Sequence, residues 1–491
     1  MGKTATLPIR IQPARGQTLQ MQIYSSVRRS ITTGRLRAEG RLPSTRALAA
    51  ELGISRTTVL LAFEQLEAEG YIVPRRGSGN YVARDLPERL SSADTVSTLR
   101  TLRHPLLSQR GRALALAPTP DRRKGGPPRA FRLGTPAIDA FPVRLWTQLG
   151  RQCMSSTSAA RLDYGNLAGL ADLREAIAEQ MGSRGTSCEP EQVFVVAGAQ
   201  RGLDLVFHLL LDPGDSAWVE DPGYPGAYGA LVSAGARAVC VPVDREGMCI
   251  DLESPEHDGV RLAYVTPSHQ FPLGVAMSLS RREQLLAWAR ARRAWILEDD
   301  YDCNFRYAAQ PLPCLHALDP DGRVIYAGTF SKTLFPALRM GFLIVPSDLV
   351  EGFSRARLAS DVHPPALEQS MVAAFISRGH YQRHLRRMQG IYAERLDALR
   401  AAVEQTGVPL RLRPVHSGLH AVADLDGVDA ERVFREAEAR QIEVMPLSAY
   451  HRGSVAPDNA LLLGFAAVRP AAIRAGMSRL AAAIDAARRG A

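Results

Sequence analysis

The sequence predicts a two-part fold: a small N-terminal winged helix-turn-helix (α+β) and a large C-terminal α/β unit on a mostly parallel sheet. Three observations carry this. Two helical segments separated by a glycine turn are followed by two β-type runs around a basic turn; from residue 131 onward, short apolar runs alternate with helical stretches; and charge is unevenly placed. Residues 1–130 hold 22 Lys+Arg against 9 Asp+Glu, whereas the remainder holds 38 against 41, so the net +10 resides in the first part.

At 491 residues the chain is too long for one ordinary core. A content of 46% hydrophobic and 22% charged residues is that of a globular protein. The start MGKTATLPIRIQPARG lacks the apolar core of a secretion signal, and no run approaches the roughly 18 apolar residues that span a bilayer, so a cytoplasmic chain with no membrane partner is expected. Six cysteines (Cys153, Cys188, Cys240, Cys249, Cys303, Cys314) lack the paired spacing of a zinc site and are expected to be reduced and mostly buried, with no metal bound. The basic excess at the N-terminus points to a polyanion, with a solvated basic tail as the alternative. Only Lys3, Lys124 and Lys332 occur among the 60 basic residues. Arginine replaces lysine on a surface but forms no Schiff base, so an isolated Lys332 suggests retention by chemistry.

The first unit is expected over residues 15–85. Leu19, Ile23, Val27 and Ile31 recur at steps of four, an amphipathic helix ended by Gly34. Ser44 or Thr45 can cap a short helix through Leu52, Gly53 turns the chain, and Ser55 caps a second helix from Arg56 to about Glu69. Val59, Phe63 and Leu66 face inward, which leaves Arg56, Thr57 and Thr58 at the end of a recognition helix that touches base edges. In YIVPRRGSGNYVA, apolar strand residues flank Arg75-Arg76-Gly77-Ser78-Gly79, a basic turn suited to phosphate or minor-groove contact.

This segment resembles the GntR family of winged helix regulators through Leu42-Pro43-Ser44-Thr45-Arg46-x-Leu48-Ala49 and Ser55-Arg56-x-Thr58-Val59. The resemblance implies a double-stranded operator as partner, with Arg46, Arg56, Thr58 and the wing glycines Gly77 and Gly79 at the DNA; Asn80 stands where threonine is usual. From residue 86 to 129 periodicity is lost, and DRRKGGPPR closes what reads as a flexible basic linker, with nonspecific DNA affinity as a secondary role.

The second unit is expected over 130–491. Its apolar runs at 193–199, 217–221, 262–268, 294–301 and 324–331 are continuous rather than alternating, as in strands buried on both faces. Polar residues gather at their C-terminal ends, where such sheets bind ligands: Ala199-Gln200, Asp221 to Tyr224, Ser268-His269, Asp299 to Tyr301 and Ser331-Lys332. A cofactor that withdraws electrons through a pyridine ring needs a lysine for its aldehyde, a carboxylate at its ring nitrogen and a cradle for its phosphate. Lys332, Asp299 and Gly198-Ala199-Gln200 before the helix from Arg201 supply these.

In combination they resemble the type I aminotransferases through Thr329-Phe330-Ser331-Lys332 with Arg339, Glu298-Asp299-Asp300-Tyr301, Asp221-Pro222-Gly223-Tyr224 and Tyr164-Gly165 before Leu173-Arg174. The resemblance implies pyridoxal 5'-phosphate, with Tyr224 on the ring, Tyr301 at its phenolic oxygen, and Thr329 and Arg339 on the phosphate. Tyr164 would come from the other subunit of a homodimer. A GntR-type reader on this fold is similar to the MocR (GabR-like) regulators, as is the block TPSHQFPLGVAMSLSRR. Their pattern implies a head-to-tail dimer whose readers are repositioned by a small-molecule effector.

Two departures separate the chain from the enzymes it resembles. Phe271-Pro272-Leu273-Gly274 stands where Asn-Pro-Thr-Gly is usual, which makes His269 a candidate contact to the ring oxygen, with a hydrogen-bonded structural histidine as the alternative. The arginine that grips a substrate α-carboxylate falls at Leu462, which cannot form that pair; Arg469 or His416 would have to supply a displaced site. Efficient turnover is therefore not expected. Pyridoxal phosphate itself is the simplest effector, as in the vitamin B6-sensing (PdxR) branch of MocR regulators. An amino acid as effector, or an aminotransferase with an appended reader, are the alternatives.

Overall fold

The computed structural model describes residues 9, 18–75, 78–84, 86, 107–117, 126–157, 162–251, 259–307, 312–453 and 458–489. The chain divides into two compact units, residues 1–106 and 107–491.

In the first unit α1 (Leu19–Thr32), α2 (Thr45–Leu52) and α3 (Arg56–Ala68) precede a hairpin of β1 (Ile72–Arg75) and β2 (Gly79–Val82). The helix starts are set by hydroxyl caps, each of which satisfies an orphan amide of the first turn. Ser44 Oγ accepts from Ala47 N at 3.1 Å, and Ser55 Oγ accepts from Thr58 N at 3.1 Å. Gly53 closes α2 in the left-handed conformation. Ile23, Val27 and Ile31 of α1 pack with Leu48, Val59, Phe63, Leu66, Ile72 and Val82. The expected fourth residue of the α1 stripe, Leu19, is 39% exposed at the helix start.

The second unit begins earlier than its expected boundary at residue 130. Gln109–Ala115, placed in the linker on lack of periodicity, form helix α4, capped by Ser108 Oγ on Gly111 N at 3.0 Å. A seven-residue helix offers too few turns for a period to register. The remaining linker stretches, 87–106 and 118–125, lie outside the described residues.

Helices α5 (Val143–Ser155), α6 (Ala171–Gly182), α7 (Ala199–Leu210), α8 (Pro225–Ala234), α9 (Leu279–Arg292) and α10 (Leu315–Leu318) precede or separate the strands of the main sheet. These strands are β3 (Val193–Val196), β4 (Ser216–Asp221), β5 (Arg237–Asp244), β6 (Gly247–Met248), β7 (Val260–Val265), β8 (Trp295–Asp300), β9 (Val324–Thr329) and β10 (Gly341–Ile344). Their spatial order is β3-β10-β9-β8-β7-β4-β5-β6. The ladders among β5, β4, β7, β8 and β9 are parallel, as expected for strands buried on both faces. Strand β10 runs antiparallel to both β3 and β9, a direction that its uniformly apolar sequence does not encode.

A second, antiparallel sheet of β11 (Leu410–Leu412), β12 (His420–Leu425), β13 (Met445–Pro446) and β14 (Ala460–Gly464) follows, in the order β11-β12-β14-β13. The remaining helices are α11 (Val350–Ser360), α12 (Ala366–Ser377), α13 (His380–Thr406), α14 (Ala430–Ala439) and α15 (Pro470–Arg489). Among the described residues no helix is long and apolar enough to cross a membrane, and no cluster of His, Cys, Asp and Glu could hold a metal ion. Only Cys153 and Cys303 are buried; the other four cysteines are half-buried, and all six are free.

Candidate functional site

The parallel strands end together at a cleft of about 700 Å³. Its polar wall carries Ala199, Gln200, Thr329, Ser331 and Arg339, its centre Asp299, Tyr301 and Lys332, and its far end Leu133, Phe271, Leu419 and Tyr450. Every strand-end cluster expected to bind the cofactor reaches this cleft except Ser268-His269.

Lys332 lies just beyond β9, and its Nζ donates to the carbonyl of Gly134 at 2.7 Å. Gly134 has φ +65°, and a Cβ there would come within 2.6 Å of Nζ, so only glycine lets the ammonium sit at this depth. Asp299, at the end of β8, accepts from Tyr264 Oη through Oδ2 at 2.8 Å. Its Oδ1 is buried without a partner. Burial raises this carboxyl to about pH 7, opposed by the Tyr264 hydrogen bond and, more weakly, by Lys332. An orphaned buried carboxylate oxygen is what a protonated pyridine nitrogen satisfies.

At the other pole α7 opens at Ala199, preceded by Gly198, where a Cβ would lie 3.3 Å from the Arg339 guanidinium carbon. Thr329 Oγ1 accepts from Ser331 N at 3.1 Å. Bare helix-start amides, two hydroxyls and an arginine form a cradle for a phosphate. Tyr224 lines the cleft, with Oη 3.2 Å from Gln200 Oε1, and its ring stands edge-on to Phe271 at 6.0 Å between centroids. Tyr164 is 84% exposed and does not line the cleft of its own chain.

His269 does not occupy the place expected of it. It is 3% exposed and lies behind the wall, its Nδ1 2.9 Å from Asp302 Oδ1 and 2.9 Å from Tyr301 Oη. The structural alternative describes it: Phe271, not His269, lines the cleft. Leu462 is fully buried on β14, in an apolar cluster with Val422, Leu447, Tyr450 and Ala460 against which Leu133 and Phe271 pack. Arg201 and Arg339 are the arginines among the described lining residues. Arg339 sits at the cradle, and Arg201 is bridged to Asp204 at 2.6 Å and Asp361 at 3.2 Å. Arg469 pairs with Asp139 at 3.0 Å while 75% exposed, and His416 is exposed; neither lines the cleft.

Sequence reasoning missed Gly134, Leu133, His420 and Tyr450 as cleft residues. Ser331, named with Lys332 among the strand-end polar residues, does line the cleft. Gly134 and Leu133 come from a segment before the first strand of the main sheet, β3, and no local pattern encodes its return to the strand ends. Leu114 of α4 and Ala117 just after it also line the cleft, so part of the connecting segment belongs to the site.

In the first unit Arg46, Arg56 and Thr57 are exposed, whereas Thr58 is half-buried with its hydroxyl 2.8 Å from Ser55 Oγ in the helix cap. Arg75 is exposed, 3.4 Å from Glu39, and lies over the Tyr81 ring at 4.5 Å; Gly79 is exposed beside it. Arg76 and Gly77, expected in the wing, lie outside the described residues.

Residues 132–480 match the model of aminotransferase class I and II, and residues 19–82 that of bacterial regulatory proteins of the gntR family. A probable rhizopine catabolism regulatory protein MocR from Rhizobium meliloti is 39% identical over 95% of this chain and 93% of its own length. The pyridoxine biosynthesis transcriptional regulator PdxR of Corynebacterium glutamicum is 33% identical over 94% of this chain and 95% of its own. Among solved structures, the α-aminoadipate aminotransferase LysN of Thermus thermophilus, complexed with N-(5'-phosphopyridoxyl)-L-leucine, is 27% identical with a TM-score of 0.67, covering 79% of this chain and 97% of that one. A multiple substrate aminotransferase from Thermococcus profundus has a TM-score of 0.69 at 27% identity, covering 78% of this chain and 98% of that one. With both modules in this order and relatives matched along nearly the whole chain, the protein belongs to the MocR-type GntR-family transcription regulators, a winged helix reader joined to a pyridoxal 5'-phosphate-binding aminotransferase fold.

Proposed function

We propose that this regulator senses pyridoxal 5'-phosphate itself and controls genes of vitamin B6 synthesis, without efficient transamination. The observation that carries the reading is the contrast within one cleft. The cradle, Asp299 and Lys332 suit the cofactor, while the end beyond the ring is closed by Leu133, Phe271 and Tyr450, with Leu462 behind them. A carboxylate placed there would lose its water without gaining a bidentate cation.

When bound, pyridoxal phosphate supplies an aldehyde that condenses with an amine and a ring that withdraws electrons. Lys332 would hold that aldehyde, Asp299 would keep the ring nitrogen protonated, Tyr224 would pack on the ring and Tyr301 would donate to the ring oxygen. Ala199, Gln200, Thr329 and Arg339 would hold the phosphate. No arginine among the described lining residues stands at the far end to orient an amino acid about its Cα bonds, the condition for proton removal at that carbon. The protein acts as a homodimer in the cytoplasm, with Tyr164 completing the partner's cradle; exposed Ile138, Val143, Met154 and Leu162 on the same stretch of chain support a surface buried by a second copy. Arg46, Arg56, Thr57, Thr58 and the wing from Arg75 to Gly79 contact the operator. Because Leu114 and Ala117 line the cleft, occupancy can bias the segment that leads to the reader.

The test is binding of the protein to its own upstream DNA, titrated with pyridoxal phosphate and then with a panel of amino acids. A shift in affinity or footprint with pyridoxal phosphate alone supports the reading. A shift that requires an amino acid replaces it with an amino-acid effector, and turnover with an amino acid and a keto acid replaces it with an enzyme.

A further inference from the structure

Behind the cleft wall His269 makes contacts that cofactor binding as described above does not use. Its Nδ1 lies 2.9 and 3.1 Å from the two oxygens of Asp302 and 2.9 Å from Tyr301 Oη. His269 and Asp302 are 3% and 1% exposed. The backbone is shaped around the pair: Gly418 has φ +83°, and a Cβ there would lie 2.0 Å from His269 Cε1 and 2.7 Å from Asp302 Oδ2. On the opposite side a Cβ at Gly274 would lie 3.2 Å from Nε2. The other ionisable ring beside it is His420, at 5.4 Å between centroids, whose Nε2 is engaged by the Pro272 carbonyl at 2.9 Å.

One nitrogen carries at most one proton, and that decides the direction of these bonds. An ionised Asp302 is only an acceptor, so it fixes the proton on Nδ1. Tyr301 then has nothing to donate to on this side. Its oxygen can only share the Nδ1–H as an acceptor, and its own O–H is left to point into the cleft that Tyr301 lines. A phenol that accepts a hydrogen bond is also a stronger donor of its own proton.

We propose that His269, held by Asp302, is a positioning residue that orients and strengthens Tyr301 as the donor to the cofactor's ring oxygen. The inference rests on the cofactor reading above. Its action is indirect: His269 touches Tyr301, and Tyr301 touches the ligand. A donor on the ring oxygen holds negative charge there and makes the neighbouring lysine-linked nitrogen less basic, so the bound cofactor's absorbance change with pH reports this contact.

The experiment is a pH titration of that absorbance band in the full-length loaded protein and in His269→Phe, Tyr301→Phe, the double variant and His269→Asn. His269→Phe keeps a ring of similar volume and removes the donor, whereas His269→Asn places an amide on the same Cγ branch as Nδ1. The expected result is a higher midpoint in Tyr301→Phe, a smaller rise in His269→Phe, no further rise in the double variant, and a midpoint near the wild type in His269→Asn. If His269→Phe folds poorly, a wild-type-like midpoint in His269→Asn together with a displaced one in Asp302→Leu supports the proposal in its place. An unmoved midpoint in His269→Phe, or additive shifts in the double variant, overturns the proposal while leaving the cofactor reading intact. Absence of any band in the loaded wild type overturns both.

Discussion

The two ends of the cleft are built by different rules. At the phosphate and ring end, polar groups converge from strand ends and a helix start: Ala199 and Gln200 on α7, Thr329 at the end of β9, Lys332 beyond it, and Asp299 on β8. At the other end the walls are Leu133, Phe271, Leu419, Tyr450 and the neighbouring His420, backed by Leu462 from the second sheet. On the proposed reading, binding a cofactor and using it on a substrate are separable, because they draw on separate elements of the fold. The main sheet holds the cofactor machinery, whereas the second sheet contributes Leu462 to an apolar cluster and His420 to the cleft wall.

The comparison can be broken first at Lys332. Lys332→Ala should abolish the absorbance of lysine-bound cofactor completely while far-UV circular dichroism stays that of the wild type; a retained band would remove the lysine from its role. At the apolar end Leu462→Ala should lower unfolding stability by about 2–5 kcal/mol, as for buried leucines elsewhere, with cofactor affinity little changed. Urea unfolding and a cofactor titration on the same variant separate these. On the DNA side Arg56→Ala should weaken operator binding by about 1–3 kcal/mol without altering the cofactor spectrum, measured by fluorescence anisotropy with labelled upstream DNA.

A smaller effect concerns pH. Burial raises Glu220, Glu298 and Asp299 to about 7 each in the cofactor-free protein. Groups raised above their unfolded values contribute stability that is full below the ordinary carboxylate range and lost as pH climbs through about 7. Thermal unfolding of the cofactor-free protein should therefore occur at lower temperature at pH 8 than at pH 5. The loaded protein should lose less over the same interval, because the ring nitrogen gives Asp299 a cation.

Much of both units was legible because it is local chemistry. Ser44 and Ser55 before apolar-periodic runs mark the helix starts within a residue, and the continuous apolar runs at 193–199 and 324–331 contain β3 and β9. Lys332 was legible from its isolation and Asp299 from its place at a strand end. What was not legible depends on where the chain returns in space. The direction of β10, the arrival of Leu133 and Gly134 beneath Lys332, and the docking of α4 on the cleft are long-range facts. His269 shows the limit most sharply: its motif placed it near the ring, but only the fold shows that Asp302 and Tyr301 hold it one layer behind.

The most direct test of the separation between the two ends is to mix the loaded protein with each common amino acid and follow the cofactor's spectrum, then add a keto acid and look for turnover. The spectrum should stay that of lysine-bound cofactor with every amino acid, with no amino-group transfer. Rapid conversion of the cofactor by any one of them, with product formed on addition of the keto acid, would contradict that separation and show that the apolar end still grips a substrate.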